Sequence, residues 1–92
     1  MPWNLSDTDA EGTEGIPGAA MSKYYEFRRT VRDGKHPKDA ADYVGDLHYE
    51  KISGARYTIR LSQEHRVFFD VSDHNQVVYV KKIGTHDYNK WG

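Results

Sequence analysis

Apolar side chains recur first at helical and then at strand spacing, and the change of period falls near Gly45. Between Ser22 and Asp33, Tyr24, Phe27 and Val31 stand at i, i+3 and i+7, while Lys23, Arg28, Arg29 and Arg32 take the other sides. That spacing predicts an amphipathic helix. Ser22 is placed to cap its first turn and Gly34 to stop it. A shorter helix fits Pro37 to Val44, with proline in its first turn, an apolar stripe of Ala40, Tyr43 and Val44, and Gly45 beyond its end. After Gly45 the period is two. Tyr57, Ile59 and Leu61 alternate with Thr58 and Arg60; Val67, Phe69 and Val71 alternate with Arg66, Phe68 and Asp70. Ser62 to His65 reads as a hairpin connection and Ser72 to Asn75 as a second turn. Gln76 to Ile83 is a nearly continuous apolar run, suited to a strand buried on both faces, and Tyr49 to Ile52 can add a short strand ahead of the first hairpin. The expected architecture is α+β, two N-terminal helices packed on a three- to four-stranded antiparallel sheet.

Residues 1–20 follow neither period and are rich in Gly, Asp, Glu and Pro. They read as a flexible acidic leader or linker, with the folded domain over 21–92 and with Trp3, Leu5 and Ile16 as apolar exceptions. On that reading their removal leaves the fold intact. No basic-then-apolar stretch opens the chain, and no run approaches the ~20 apolar residues of a membrane span.

Composition narrows the chemistry. With 92 residues, 37% of them hydrophobic, and a mean hydropathy of −0.88, there is material for one modest core. Cysteine is absent, which removes disulfides, thiolate zinc sites and cysteine nucleophiles and suits a reducing cytoplasm. The net charge of −1 hides a division. Asp7, Asp9, Glu11 and Glu14 give residues 1–20 a charge of −4 with no Lys or Arg; residues 21–92 hold all 13 basic residues and five histidines, and carry +3. A mildly basic body permits polyanion binding without establishing it.

Strand alternation sharpens this. If Tyr57, Ile59, Leu61, Val67, Phe69 and Val71 pack on the helices, then Thr58, Arg60, Arg66, Phe68 and Asp70 share the opposite face. Arg60 and Arg66 would then point into one space beside an exposed aromatic, a set of groups able to grip phosphate and stack a base. The alternative is a solvated face in which both arginines pair with Asp70 or Glu64.

The stretch from Leu47 to Tyr88 resembles the C-terminal half of the RelE/ParE superfamily of bacterial toxins, including the RelE, HigB, YoeB and YafQ branches. The pieces that carry the resemblance are Leu47 to Lys51, Gly54, Tyr57 to Leu61 (Y-x-I-R-L), Arg66 to Val71 (R-V-x-F-x-V), and Val77 to His86, ending in I-G-x-H. They cover roughly half of the chain, in order. Those toxins place a first strand and a longer helical hairpin ahead of this region, whereas this chain has two short helices and an acidic leader. The domain also resembles the RelE-like nuclease tips of larger bacterial competition toxins, for which residues 1–20 would be linker.

The resemblance implies a metal-independent endoribonuclease with no cofactor. It would cut mRNA, ribosome-bound or free, or tRNA, and so inhibit translation in the cytoplasm, neutralised by an antitoxin or immunity protein. In such cleavage the 2′-hydroxyl attacks the adjacent phosphate and leaves a 2′,3′-cyclic phosphate. That needs a base, positive charge on the phosphorane oxygens, and an acid for the leaving 5′-oxygen. His86, at the motif's terminal His/Arg position, is implied as general acid or base. Tyr88 would stack on a base or donate a proton and Asp87 would orient an imidazole, although a tail-anchoring tyrosine fits equally. Arg66 matches the family's phosphate-contacting strand arginine, and Arg60 matches a basic strand position. His48 and Lys51 lie where some branches draw a catalytic base; Asp46 and Glu50 lie there too, and the base stays open. His65 and His74 read as solvated turn residues and His36 as part of a helix start. The histidines show no H-x-x-x-H or H-x-E spacing, so no metal site is expected. A ParE-like, non-nucleolytic toxin that inhibits DNA gyrase by binding is the rival reading. Such members generally lack the terminal His/Tyr pair, so His86 and Tyr88 favour the nuclease.

Overall fold

A computed structural model describes residues 2–8, 10–12, 16–45 and 47–85. Helix α1 spans Gly18–Arg32 and α2 spans Pro37–Val44. α1 begins four residues before Ser22, because Ala19, Ala20 and Met21 are strong helix formers and Ala20 is buried. Pro17 precedes it, and its carbonyl accepts the Met21 N–H at 3.0 Å, so the first turn closes without a side-chain cap. The helix stops where Gly34 takes a φ of +115°. α2 carries Pro37 in its first turn, and His36 caps it by accepting the Lys38 N–H on Nδ1 at 3.0 Å.

Five strands form one sheet: β1 (Asn4–Ser6), β2 (Glu50–Ser53), β3 (Arg56–Arg60), β4 (His65–Ser72) and β5 (Val77–Thr85), in the order β1-β5-β4-β3-β2. β2 to β5 run as an antiparallel meander, and β1 pairs in parallel with β5 through Asn4↔Val77, Leu5↔Val78 and Ser6↔Tyr79. The expected antiparallel sheet of three to four strands is therefore wrong; the sheet is five-stranded and mixed. Three residues are too few to display a period of two, so the only trace of β1 in the pattern is Trp3 and Leu5 on either side of Asn4.

β1 also corrects the reading of residues 1–20 as a flexible leader. Trp3 and Leu5 belong to the core at 8% and 3% exposure, and Trp3 meets the His36 ring edge to face at 4.7 Å. Further along, Glu11 bridges β5 in parallel: its N–H donates to the Lys81 carbonyl and its own carbonyl accepts the Ile83 N–H at 2.8 Å. The next residue, Gly12, has a φ of +82°, and a Cβ there would overlap the Ile83 carbonyl oxygen. Removal of this segment is thus not neutral. Between the two pairings, Asp7 accepts hydrogen bonds from the Tyr24 hydroxyl at 2.7 Å and Arg28 Nη1 at 2.9 Å, and Arg32 Nη2 lies 3.5 Å away. The charge division in the sequence becomes an attraction between the N-terminal segment and α1.

Burial raises the Asp7 pKa, but the Tyr24 hydroxyl and the Arg28 and Arg32 guanidiniums outweigh it and hold the carboxyl below the ordinary aspartate value. A depressed folded pKa contributes stability that is present above the unfolded value and lost as pH falls through the folded one. Asp7→Asn should therefore lower the melting temperature at pH 7 by several degrees, and the two proteins should converge as pH falls through the lowered carboxyl pKa. A gap between their melting temperatures that is independent of pH would contradict this.

The helices cover one face of the sheet. Tyr24, Phe27 and Val31 of α1 and Ala40 and Ala41 of α2 share a buried core with Ile59, Leu61, Val67, Phe69 and Val71, while Phe27 and Phe69 have ring centroids 5.7 Å apart. Tyr57 is half-buried at the border of that core, stacked on Tyr49. On β5 the register shifts from Phe68↔Lys82 to Phe69↔Val80, leaving Lys81 as an extra residue. The bulge lets Val78, Val80 and Ile83, which do not alternate strictly, all face the helices. β5 is thus fully buried on one side only, and Val77 and Tyr79 are half-buried.

Candidate functional site

The second face of the sheet is set by register. Arg60 lies directly opposite Arg66, and Arg66 lies opposite Gly84; the next row is Glu50, Thr58, Phe68 and Lys82, and beyond it Arg56, Asp70 and Tyr79. Residues directly across an antiparallel ladder share a face, so Arg60 and Arg66 project from one side of neighbouring strands, as alternation predicted. The aromatic beside them is not exposed: Phe68 and Thr58 are fully buried and Arg66 is 8% exposed, while Arg60 is half-buried. The face is a partly covered polar layer and not an open stacking platform.

Its charges are unequally paired. Asp70 is taken by Arg56, with Nε 3.2 Å from Oδ1. Arg66 Nη1 stands 3.7 Å from Glu50 Oε2, but Glu50 is 62% exposed, so the pair contributes under about 1 kcal/mol. Arg60 Nε is buried with no hydrogen-bond partner among the described residues. Two like charges set directly opposite each other destabilise a sheet, and an anion between them removes that penalty.

The remaining candidates divide. His48 is exposed with a φ of +50°, just ahead of β2; the Arg60 N–H donates to the neighbouring Leu47 carbonyl, which brings His48 alongside the Arg60 end of β3. Lys51 pairs with Tyr57 and so belongs to the helix-packed side, away from the arginines. Glu50, its neighbour, is on the arginine side. The structure thus separates two residues that the sequence left as equivalent candidates for the base. Asp46, His86, Asp87 and Tyr88 lie outside the described residues; the last described residue, Thr85, pairs with His65, one position beyond the Arg66 row. His65 opens β4 and is half-buried, its Nδ1 2.9 Å from Ser62 Oγ, instead of standing free in the turn. Among the described residues no three His, Asp or Glu side chains gather as a metal set would.

A shallow groove runs along the outer side of α1 past Tyr25, Arg28, Arg29 and Arg32. It lies on the helix layer, and two of its three arginines already bind Asp7. The sheet face has the stronger claim, because it sets Arg60 and Arg66 directly opposite each other on neighbouring strands.

No protein-family model and no curated protein matches the chain. Among the described residues no helix is long and apolar enough to cross a membrane.

Proposed function

We propose that the second face of the sheet binds the phosphodiester backbone of a nucleic acid. The observation that carries this is the direct opposition of Arg60 and Arg66 on neighbouring strands. Two guanidinium forks side by side match the non-bridging oxygens of one phosphate or of two successive ones.

Within that class, the reading favoured here is a bacterial toxin acting as a metal-independent endoribonuclease on mRNA or tRNA. Arg66 and Arg60 neutralise the phosphorane. Among the described residues, Glu50, ion-paired with Arg66, and His48, whose backbone adjoins the Arg60 end of β3, are candidates to accept the 2′-hydroxyl proton; His86 is the general acid or base that the resemblance implies, with Asp87 and Tyr88 next to it in sequence. The strand ahead of the helices, which the resembled toxins have and the apolar pattern missed, is supplied by β1. A neutralising antitoxin or immunity protein would cover this face with acidic side chains, giving an association rate that falls with salt.

The test is incubation of the protein with total RNA in excess EDTA, alongside a gyrase supercoiling assay. Cleavage in EDTA with gyrase unaffected is the expected result. Intact RNA with inhibited supercoiling would overturn it in favour of a gyrase-binding toxin.

A further inference from the structure

The Arg60–Arg66 row ends on β5 at Gly84, a position with no side chain. A Cβ placed there would stand 3.6 Å from the Cε of Lys82, so the Lys82 stem leans along the strand over Gly84 and toward the arginine row. Lys82 itself belongs to the same face, opposite Phe68. Gly84 and Lys82 are both half-buried, open in part to solvent. Gly84 has no positive φ that would call for glycine, and its missing side chain leaves bare backbone beside Arg66. A glycine within a strand marks a place where another chain or a ligand can approach closely. Among the described residues the acidic neighbours are Glu50 beside Arg66 and Glu11, which bridges to Lys82 from the β1 side; both are exposed. Among the described residues, Lys82 and the neighbouring Arg60 and Arg66 bring positive charge to the side of that bare backbone.

We propose that Lys82 and the backbone at Gly84 form a phosphate subsite adjoining Arg60 and Arg66, which seats an RNA backbone phosphate against β5. This rests on the ribonucleic-acid reading above and extends it to a residue that the sequence motifs did not single out. Lys82 supplies a point charge that is indifferent to base identity, and Gly84 supplies the room. Lys82 is a binding and positioning residue, so its loss acts on affinity and KM more than on kcat.

The experiment measures binding of a fluorescently labelled 2′-O-methyl oligoribonucleotide, which lacks the attacking hydroxyl, across a salt series. Lys82→Gln should weaken binding roughly 3- to 10-fold at low salt and reduce the slope of log affinity against log salt by about 0.7, the value of one single-strand phosphate contact. Lys82→Arg should restore both. Gly84→Leu fills the subsite and should bind like Lys82→Gln; if it does not fold, the Lys82 pair carries the test. Parent-like affinity and slope for Lys82→Gln would overturn the subsite, and so would absence of oligonucleotide binding by the parent, which would end the nucleic-acid reading as well. Loss of binding in Lys82→Gln, from a parent that leaves ordinary RNA intact, would uphold the subsite while the cleavage reading falls.

Discussion

Removal of residues 1–12 lowers the melting temperature by on the order of 20 °C or abolishes cooperative unfolding. Trp3 and Leu5 are nearly inaccessible in the core, and burial of each side chain stabilises by about 1.5–3 kcal/mol. The segment also takes with it the β1 and Glu11 pairings to β5 and the Asp7 clasp on α1. The combined loss of at least about 4 kcal/mol is a large share of the 5–15 kcal/mol typical of a domain, and each kcal/mol moves a domain of this size by about 4–8 °C. Removal of β1 also exposes the edge of β5, a nine-residue strand and a ready template for association between chains. Thermal unfolding followed by circular dichroism decides it. A truncated protein that melts within a few degrees of the parent, and stays monomeric, would contradict the packing described. Leu5→Ala, expected to cost about 2–5 kcal/mol, reproduces part of the effect without shortening the chain.

The second large effect concerns catalysis. Arg66→Ala should reduce RNA cleavage by about 10²–10³-fold, the usual cost of one preorganised donor on developing charge. Arg60→Ala should follow it in the same direction. Arg66→Lys should recover only part, since an ammonium cannot reproduce a two-pronged contact. Arg66 is nearly buried, so its removal also costs some stability, and rates must be compared on protein shown to be folded. Glu50→Gln separates the two effects. It removes the exposed ion-pair partner with little change in melting temperature, and it lowers cleavage only if Glu50 acts as the base. Lys51→Ala, on the helix-packed side, should leave cleavage unchanged. Unchanged cleavage by Arg66→Ala would remove the arginine pair from the site.

Alternation along β3 and β4 was enough to place Arg60 and Arg66 together, because a period of two assigns every residue of a paired strand to a face. α2 was legible for a similar reason, its proline and glycine marking both ends. β1 was not, since a three-residue strand is shorter than the window in which its period shows, and its stability comes from contacts with residues more than seventy positions away. The Asp7 clasp, whose contacts span 17 to 25 positions, was hidden as well. An aspartate in a Gly-rich segment looks like a solvated charge until α1 brings Tyr24, Arg28 and Arg32 around it. The split charge of the sequence was the one hint available. Phe68 misled for the opposite reason: period two sets its face, but cannot say whether that face is covered. The bulge at Lys81 breaks the alternation of β5, so neither the one-sided burial of that strand nor the approach of Lys82 to Gly84 could be read from spacing.

The most direct test of the ribonuclease reading is the chemistry of the cut ends. A defined oligoribonucleotide is incubated with the full chain in EDTA, and the products are identified by mass spectrometry. Attack by the 2′-hydroxyl, with charge neutralised by Arg60 and Arg66, predicts a 2′,3′-cyclic phosphate on one fragment and a 5′-hydroxyl on the other. It also predicts that an oligonucleotide with 2′-deoxyribose at the scissile position stays whole. Fragments ending in a 3′-hydroxyl and a 5′-phosphate, or cutting of the deoxy-substituted strand, would contradict it.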